Sequence, residues 1–255
     1  MKILDFIKTN PAGNITIFIE KYDVYAKDIM KISEKIMSEL SLGAEQVGFI
    51  RENHLHMMGG EFCGNASRAF AALLAFRDEK FKVQKDYFIT CSGENKKLKV
   101  DVREGTKKNE FLAKIEMPQY LEITEITFGN EKLILVEFSG IKHFIYEGVE
   151  NKEEIIKFLK NFLSKENYSA FGVMFFDLEK MFIQPYVYVN GFANGVWENS
   201  CASGTTALGF YLKRFKKIEK AKIYQPNGWL EFSFKEDKIY IDGPVEIVAE
   251  GKVYI

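Results

Sequence analysis

"EFCGNASRAF", residues 61–70, sets a cysteine directly ahead of Gly-Asn-Ala and the opening turns of an apolar helix. A second stretch, "ENSCASGTTALGFY" at 198–211, repeats the arrangement: cysteine, small residues, then an apolar helix-forming run. The spacing predicts helices over 65–76 and 205–215, both apolar around most of their circumference. A helix of that kind has no face for water and must be enclosed, most simply by a sheet. Two such helices, far apart in one chain, call for two enclosing sheets.

The rest of the chain supplies them. Strand-like runs occur at ITIFIE (15–20), EQVGFI (45–50), KLKVDV (97–102), LAKIEM (112–117), KLILVEF (132–138), HFIYEG (143–148), VMFFDL (173–178) and KIYIDG (238–243). One-sided helical patterns lie over 27–40, with Ile29, Ile32, Ile36 and Leu40 on one face, and over 152–163, with Ile155, Ile156, Leu159 and Leu163. Pro118 ends a strand near the middle. The expected fold is α+β, with two similar lobes at 1–117 and 118–244, each a mixed or antiparallel sheet curled around one central helix. Residues 245–255 read as a strand able to return to the first lobe. The element order is too loosely copied in the sequence to read as a duplication.

Composition excludes several classes. Hydrophobic residues make up 47% and aromatics 15%, far from a disordered chain. The 35 basic and 36 acidic residues nearly cancel, and no basic block is interleaved with aromatics, so nucleic acid is not an expected partner. MKILDFIKTNPAGN has no apolar core of signal-peptide length, and no stretch is long enough to span a bilayer. Cys63, Cys91 and Cys201 are too few for a disulfide framework, so a cytoplasmic setting is the expectation. No zinc-type CxxC or HExxH pairing is present, and no metal site is expected.

A thiol at a helix start meets unpaired backbone N–H groups and the positive end of the macrodipole. Both favour thiolate and lower the cysteine pKa. Gly64 and Gly204 leave the backbone open to a ligand, and first-turn N–H groups can hold a carboxylate. If both helix starts address one amino acid, its α-carbon lies between two sulfurs. One thiolate removes the α-proton while the opposing thiol protonates the other face, which is racemisation by two bases. That chemistry needs no cofactor. Cys91, at a strand end, reads as a small buried hydrophobe.

FCGNASRAF and NSCASGTTAL resemble the signature motifs of diaminopimelate epimerase and its relatives, the pyridoxal-phosphate-independent amino-acid racemases. NPAGNITI (10–17), EQVGFI (45–50), GGEFCGNA (59–66), QPYVYV (184–189) and VWENSCASGT (196–205) look most like the histidine-racemase branch of bacterial metallophore pathways. The resemblance implies an isomerase with a diaminopimelate epimerase-like fold and an active site between two lobes. It assigns Cys63 and Cys201 as the acid/base pair, with Glu45 and Glu198 as carboxylates beside them. Asn14, Gln46, Gly64, Asn65, Ala202, Ser203 and Gly204 match substrate-holding positions, and His143 matches a histidine near the first cysteine. The implied partner is a small-molecule amino acid, with no nucleic acid or membrane and with a homodimer as the candidate assembly.

Departures bear on the substrate. Diaminopimelate epimerases carry a Glu-Arg pair before the second cysteine, where this chain has GFANGVW, and asparagines where it has Ile141 and Ala170 or Phe171. Without an arginine fork a second carboxylate is poorly paired once desolvated. Phe62, Phe192 and Trp197 suggest an aromatic-lined recess for a flat side chain such as imidazole. L-histidine is therefore the leading substrate. The alternatives are a racemase of other or broader specificity, diaminopimelate epimerisation, and, outside enzymes, an amino-acid-binding protein on the same fold.

Overall fold

The computed structural model describes residues 2–23, 28–164, 168, 170–190 and 194–255. The fold is α+β and dominated by strands. It divides into two compact units: Met1–Glu116 with Asp242–Ile255, and Met117–Ile241. None of the described helices is long and apolar enough to cross a membrane.

The first unit contains β1 (Ile3–Asn10), β2 (Thr16–Glu20), α1 (Ile29–Met37), β3 (Gln46–Arg51), β4 (His54–Met57), α2 (Gly64–Phe76), β5 (Gln84–Cys91), β6 (Leu98–Glu104) and β7 (Glu110–Glu116). The strands lie side by side in chain order. The long C-terminal strand, numbered β16 (Lys238–Tyr254), pairs with both β7 and β1, so the circle closes. The central helix α2 packs against β5, β6 and β7, with nearly every residue from Gly64 to Ala75 buried. α1 covers the other face, where Ile32 and Ile36 meet Ile17, Ile19, Val47 and Phe49. β2 is therefore apolar at consecutive positions, whereas β7, with one face out, alternates.

The second unit contains β8 (Glu122–Phe128), β9 (Glu131–Phe138), β10 (Ile141–Glu147), α3 (Lys152–Leu163), β11 (Ala170–Asp177), β12 (Phe182–Val189), β13 (Val196–Trp197), α4 (Ala202–Tyr211), β14 (Lys220–Gln225) and β15 (Gly228–Lys235). Its strand order is β8-β9-β10-β11-β12-β14-β15, and β15 then pairs with β16. α4 is enclosed by β9, β10, β11, β14 and β15 and continues into a π-helical turn, Leu212–Lys216. α3 lies outside, with Ile155, Leu159 and Leu163 on Phe144, Phe171 and Phe175.

The two units repeat one order of elements, which the sequence pattern conceals. β2 and β3 are parallel around α1, and β10 and β11 are parallel around α3. β4 and β5 are parallel around α2, and β12 and β14 are parallel around α4. In the first unit the strand beside β1 is β16; in the second, the strand beside β9 is β8.

Two helix boundaries differ from the periodic pattern. α1 stops at Met37, and Leu40 is wholly exposed, because Ser38 leaves the helical region with ψ 138°. Lys27, where that pattern begins, lies outside the described residues. α4 starts at Ala202, directly after its cysteine, rather than at Thr205.

Arg68 is the largest fully buried side chain. Its guanidinium donates to the Gly243 carbonyl at 2.9 Å and to Asn65 Oδ1 at 2.9 Å, tying α2 to β16. Burial pulls its pKa down to about 10, still charged at neutral pH. In α4, Gly209 provides the close approach: a Cβ there would lie 2.6 Å from Ile239 Cδ1 and 3.1 Å from the Phe232 ring. Gly209→Val should therefore destabilise the protein by about 1–3 kcal/mol through overpacking. Urea denaturation measures it, and unchanged stability would show that the helix–sheet spacing can relax.

Candidate active site

Each central helix begins at a cysteine in nearly the same backbone conformation. Cys63 has φ −129° and ψ 114°; Cys201 has φ −128° and ψ 109°. Both are extended N-cap residues, and each sulfur accepts a hydrogen bond from the first turn of its own helix. The Ala66 N–H reaches Cys63 Sγ at 3.4 Å, and the Gly204 N–H reaches Cys201 Sγ at 3.3 Å.

Around Cys63 the expected residues form a directional chain. The Cys63 thiol donates to Gln46 Oε1 at 3.1 Å. Gln46 Nε2 donates to Asn14 Oδ1 and, at 3.0 Å, to the Thr16 hydroxyl. Asn14 Nδ2 donates in turn to Glu45 Oε2 at 2.7 Å. The β1–β2 loop delivers Asn14, which is buried, and the start of β3 delivers Glu45 and Gln46. Each amide is thus oriented by the group beyond it, with a carboxylate at the far end.

The second unit surrounds its cysteine differently. The Cys201 thiol hydrogen-bonds to the Glu198 side chain. Cys201 Sγ and Ser203 Oγ are 3.5 Å apart, and Ser203 Oγ lies 2.9 Å from His143 Nε2. His143, on β10, is fully buried; burial lowers its pKa to about 3 and keeps the imidazole neutral. Within its own unit it therefore stands in the neighbourhood of the second cysteine.

The ionisation expected of the thiols is reversed. Burial pushes Cys63 up to about 12, against the lowering by the Ala66 N–H, with Glu61 and Cys91 adding to the rise. Burial likewise carries Cys201 well above the ordinary thiol range, with the Glu198 charge reinforcing it. A helix-start N–H does favour thiolate, but here desolvation outweighs it. Both sulfurs rest as thiols.

Other expected residues occupy varied positions. Asn65 is buried, and its side-chain oxygen is turned to Arg68. Gly64, Ala202 and Gly204 lie in the first turns of α2 and α4 with Ser203. Trp197 packs against Tyr186 and Phe175, with ring centroids 5.1 and 5.7 Å away. Those rings belong to the cluster beneath α3, so Trp197 lies on the outer side of its sheet. Phe192 lies outside the described residues, and Phe62 is half-buried just before Cys63. The sequence reading missed Gln225, whose Oε1 accepts the Cys201 backbone N–H at 2.8 Å, and Arg68. It also missed Glu61, raised by burial and close enough to perturb Cys63. Gln225 ends β14 just before Pro-Asn-Gly, and nothing in that local sequence points to the Cys201 backbone.

The chain is similar to known proteins over its whole length. A family model described as the histidine racemase CntK N-terminal domain matches residues 3–254. A histidine racemase of Fusobacterium nucleatum subsp. nucleatum is 61% identical over 259 residues, covering 100% of this chain and 98% of that protein. A histidine racemase of Staphylococcus aureus is 28% identical over 283 residues, with the same coverage. Among solved structures, a "predicted epimerase" of Pseudomonas aeruginosa matches with TM-score 0.74 at 10% identity, covering 99% of each chain. A phenazine biosynthesis PhzF-family protein of Enterococcus faecalis matches with TM-score 0.64 at 13% identity, covering 100% of each chain. At such identities the solved structures bear on the fold alone. The family model and the full-length relatives carry more: this chain belongs to the histidine racemase family.

Proposed function

We propose that this chain is an isomerase that interconverts L- and D-histidine with two thiols and no cofactor, on a diaminopimelate epimerase-like fold. The observation that carries the mechanism is the matched pair of buried helices, each opened by a cysteine whose sulfur faces its own first turn. The full-length identity to histidine racemases supports the substrate.

The reaction requires both thiols to address one α-carbon from opposite faces. The helix starts provide N–H donors for the α-carboxylate and for the negative charge that develops on it as the α-proton leaves. Since both sulfurs rest protonated, one must lose its proton before it can act as base. Glu198, already hydrogen-bonded to Cys201, is the direct acceptor on that side. Glu45 acts on Cys63 through the Asn14 and Gln46 amides, which orient the thiol. The protonated partner then delivers its proton to the other face, and the reverse reaction exchanges the roles. Ser203, and His143 behind it, align Cys201.

Cys63→Ala and Cys201→Ala should each lower racemisation by about 10²–10⁴-fold with the fold retained, since each proton has its own carrier. Near-normal turnover in either variant, with an unchanged circular dichroism spectrum, would sink the two-thiol assignment.

The raised thiol pKa values and the internal acceptor together fix a pH dependence. Transfer of the Cys201 proton to Glu198 leaves the number of bound protons unchanged, so the active fraction does not grow as pH climbs toward the thiol pKa. For histidine, kcat/KM should therefore change by less than about threefold between about pH 7.5 and about 8.5. A rise of about tenfold per unit would mean that the thiol loses its proton to solvent and not to Glu198.

Histidine should be racemised at least about tenfold more efficiently than diaminopimelate is epimerised, because a charged distal end has no arginine fork to pair with. Comparing kcat/KM in metal-free, pyridoxal-free buffer decides it. Equal turnover would favour the broader-specificity alternative.

A further inference from the structure

Gln225 is 4% exposed, and both ends of its amide are engaged. Its Oε1 accepts the backbone N–H of Cys201 at 2.8 Å, and its Nε2 donates to the Thr205 hydroxyl at 3.1 Å. The Thr205 hydroxyl donates to the Cys201 carbonyl at 2.7 Å. Gln225 thereby grips the peptide group on either side of the Cys201 α-carbon, directly at one end and through Thr205 at the other. The turn that follows holds the approaching chain as well. The Asn227 N–H reaches the Asn199 carbonyl at 3.4 Å, and its side-chain amide reaches Asn199 Oδ1 at 2.6 Å.

The first unit uses the same place in its fold for the same purpose. Cys91 ends β5, the strand that follows α2, as Gln225 ends β14, the strand that follows α4. The Cys91 sulfur takes the backbone N–H of Cys63. Ser92 donates its hydroxyl to the Glu61 carbonyl at 2.8 Å, two residues before Cys63, just as Asn199 stands two before Cys201. Gly93, at φ +71°, lies so close that a Cβ would come within 2.3 Å of the Phe62 nitrogen. Two unlike side chains, a thiol and an amide, occupy equivalent strand ends and hold equivalent peptide groups. Cys91 is thus more than core filling.

We infer that Gln225 is a positioning residue for Cys201, fixing through its backbone the direction in which that thiol meets the substrate α-carbon. The inference rests on the two-thiol reading. An N-cap sulfur swings about the peptide group that carries it, so loosening that peptide misaims one thiol and leaves the other untouched. Misplacement on the scale of an ångström can cost up to about a hundredfold in rate.

The test is α-deuterium exchange of L- and D-histidine, each alone in deuterium oxide, followed by proton NMR at early times. Each enantiomer presents its α-proton to one thiol. Cys201→Ala identifies the enantiomer that depends on Cys201, as the one that stops exchanging. Gln225→Met, close in length and without an acceptor, should slow exchange of that same enantiomer by about tenfold or more and hold the other within about threefold. Racemisation should fall with the slower step. Thr205→Val, isosteric and without the hydroxyl, should produce the same one-sided loss more weakly, and it serves if Gln225→Met does not fold. Equal slowing of both enantiomers in the variant that folds would make Gln225 merely structural and overturn the inference, as would no slowing of either. If Cys201→Ala itself leaves both enantiomers exchanging normally, the two-thiol reading fails instead.

Discussion

A sulfur atom serving as the cap of a buried helix is the constraint on which the rest of this protein depends. The cap hydrogen bond draws the thiol toward ionisation, worth about 1.5–3 kcal/mol for a charged acceptor. Enclosing the helix takes the same sulfur out of water, at a cost of several kcal/mol for its anion. The larger quantity wins, and Cys63 and Cys201 are held neutral. A sulfur kept neutral this way does not scavenge protons or electrophiles at rest, yet it lies one proton transfer from being a strong base. Neighbouring groups must arrange that transfer. Hence the polar residues gathered at the two helix starts, in a chain whose central helices are otherwise apolar.

The two units reach this arrangement through one order of strands and helices with different side chains. Where the first has Gln46 as acceptor for its thiol, the second has Glu198. Where the first spends a five-residue segment, Pro11 to Ile15, between β1 and β2, the second turns tightly through Ser139 and Gly140 between β9 and β10. A racemase has reason for such inequality. Its two enantiomers place the same three substituents differently, so the groups that serve the two proposed thiols cannot be copies, although the backbone beneath each can.

Much of this was legible in the residues. The enclosed character of α2 and α4 follows from apolar residues all round, and α3 follows Lys152 to Leu163 residue for residue because its apolar stripe is clean. Strands buried on both faces, such as β2 and β11, announce themselves as unbroken apolar runs. β5 and β14 did not, because β5 exposes Lys85 and Phe88, β14 exposes Lys220, Lys222 and Tyr224, and each buries little. The repeat was hidden for a related reason: β16 takes, in the first unit, the place that β8 takes in the second, so the order matches only in space. At the site, the caps and the Asn14–Gln46–Cys63 grouping could be reached from motif and resemblance. The thiol ionisation could not, because sequence shows the helix end but not how deeply it is covered. Gln225 was out of reach too, since its meaning lies in a backbone N–H belonging to another segment. Trp197 misled in the opposite way: a large ring close in sequence to Cys201 faces the outer layer.

The closing strand of the first unit sets an order of assembly. Residues 242–255 complete a circle whose other strands are made at the start of the chain, with Ile3 paired to Tyr254. During synthesis the first unit therefore keeps an open edge at β1 and at β7 while the whole second unit is being translated. The second unit is one continuous segment and has nearly all its strands in hand before β16 emerges. Pairings of such wide sequence separation form late and slowly. Unpaired edges are also the places where nascent chains meet one another. The enclosure of Cys63 is thus tied to the last strand made, and a ribosome that stalls short of it leaves the second thiol framed and the first uncovered.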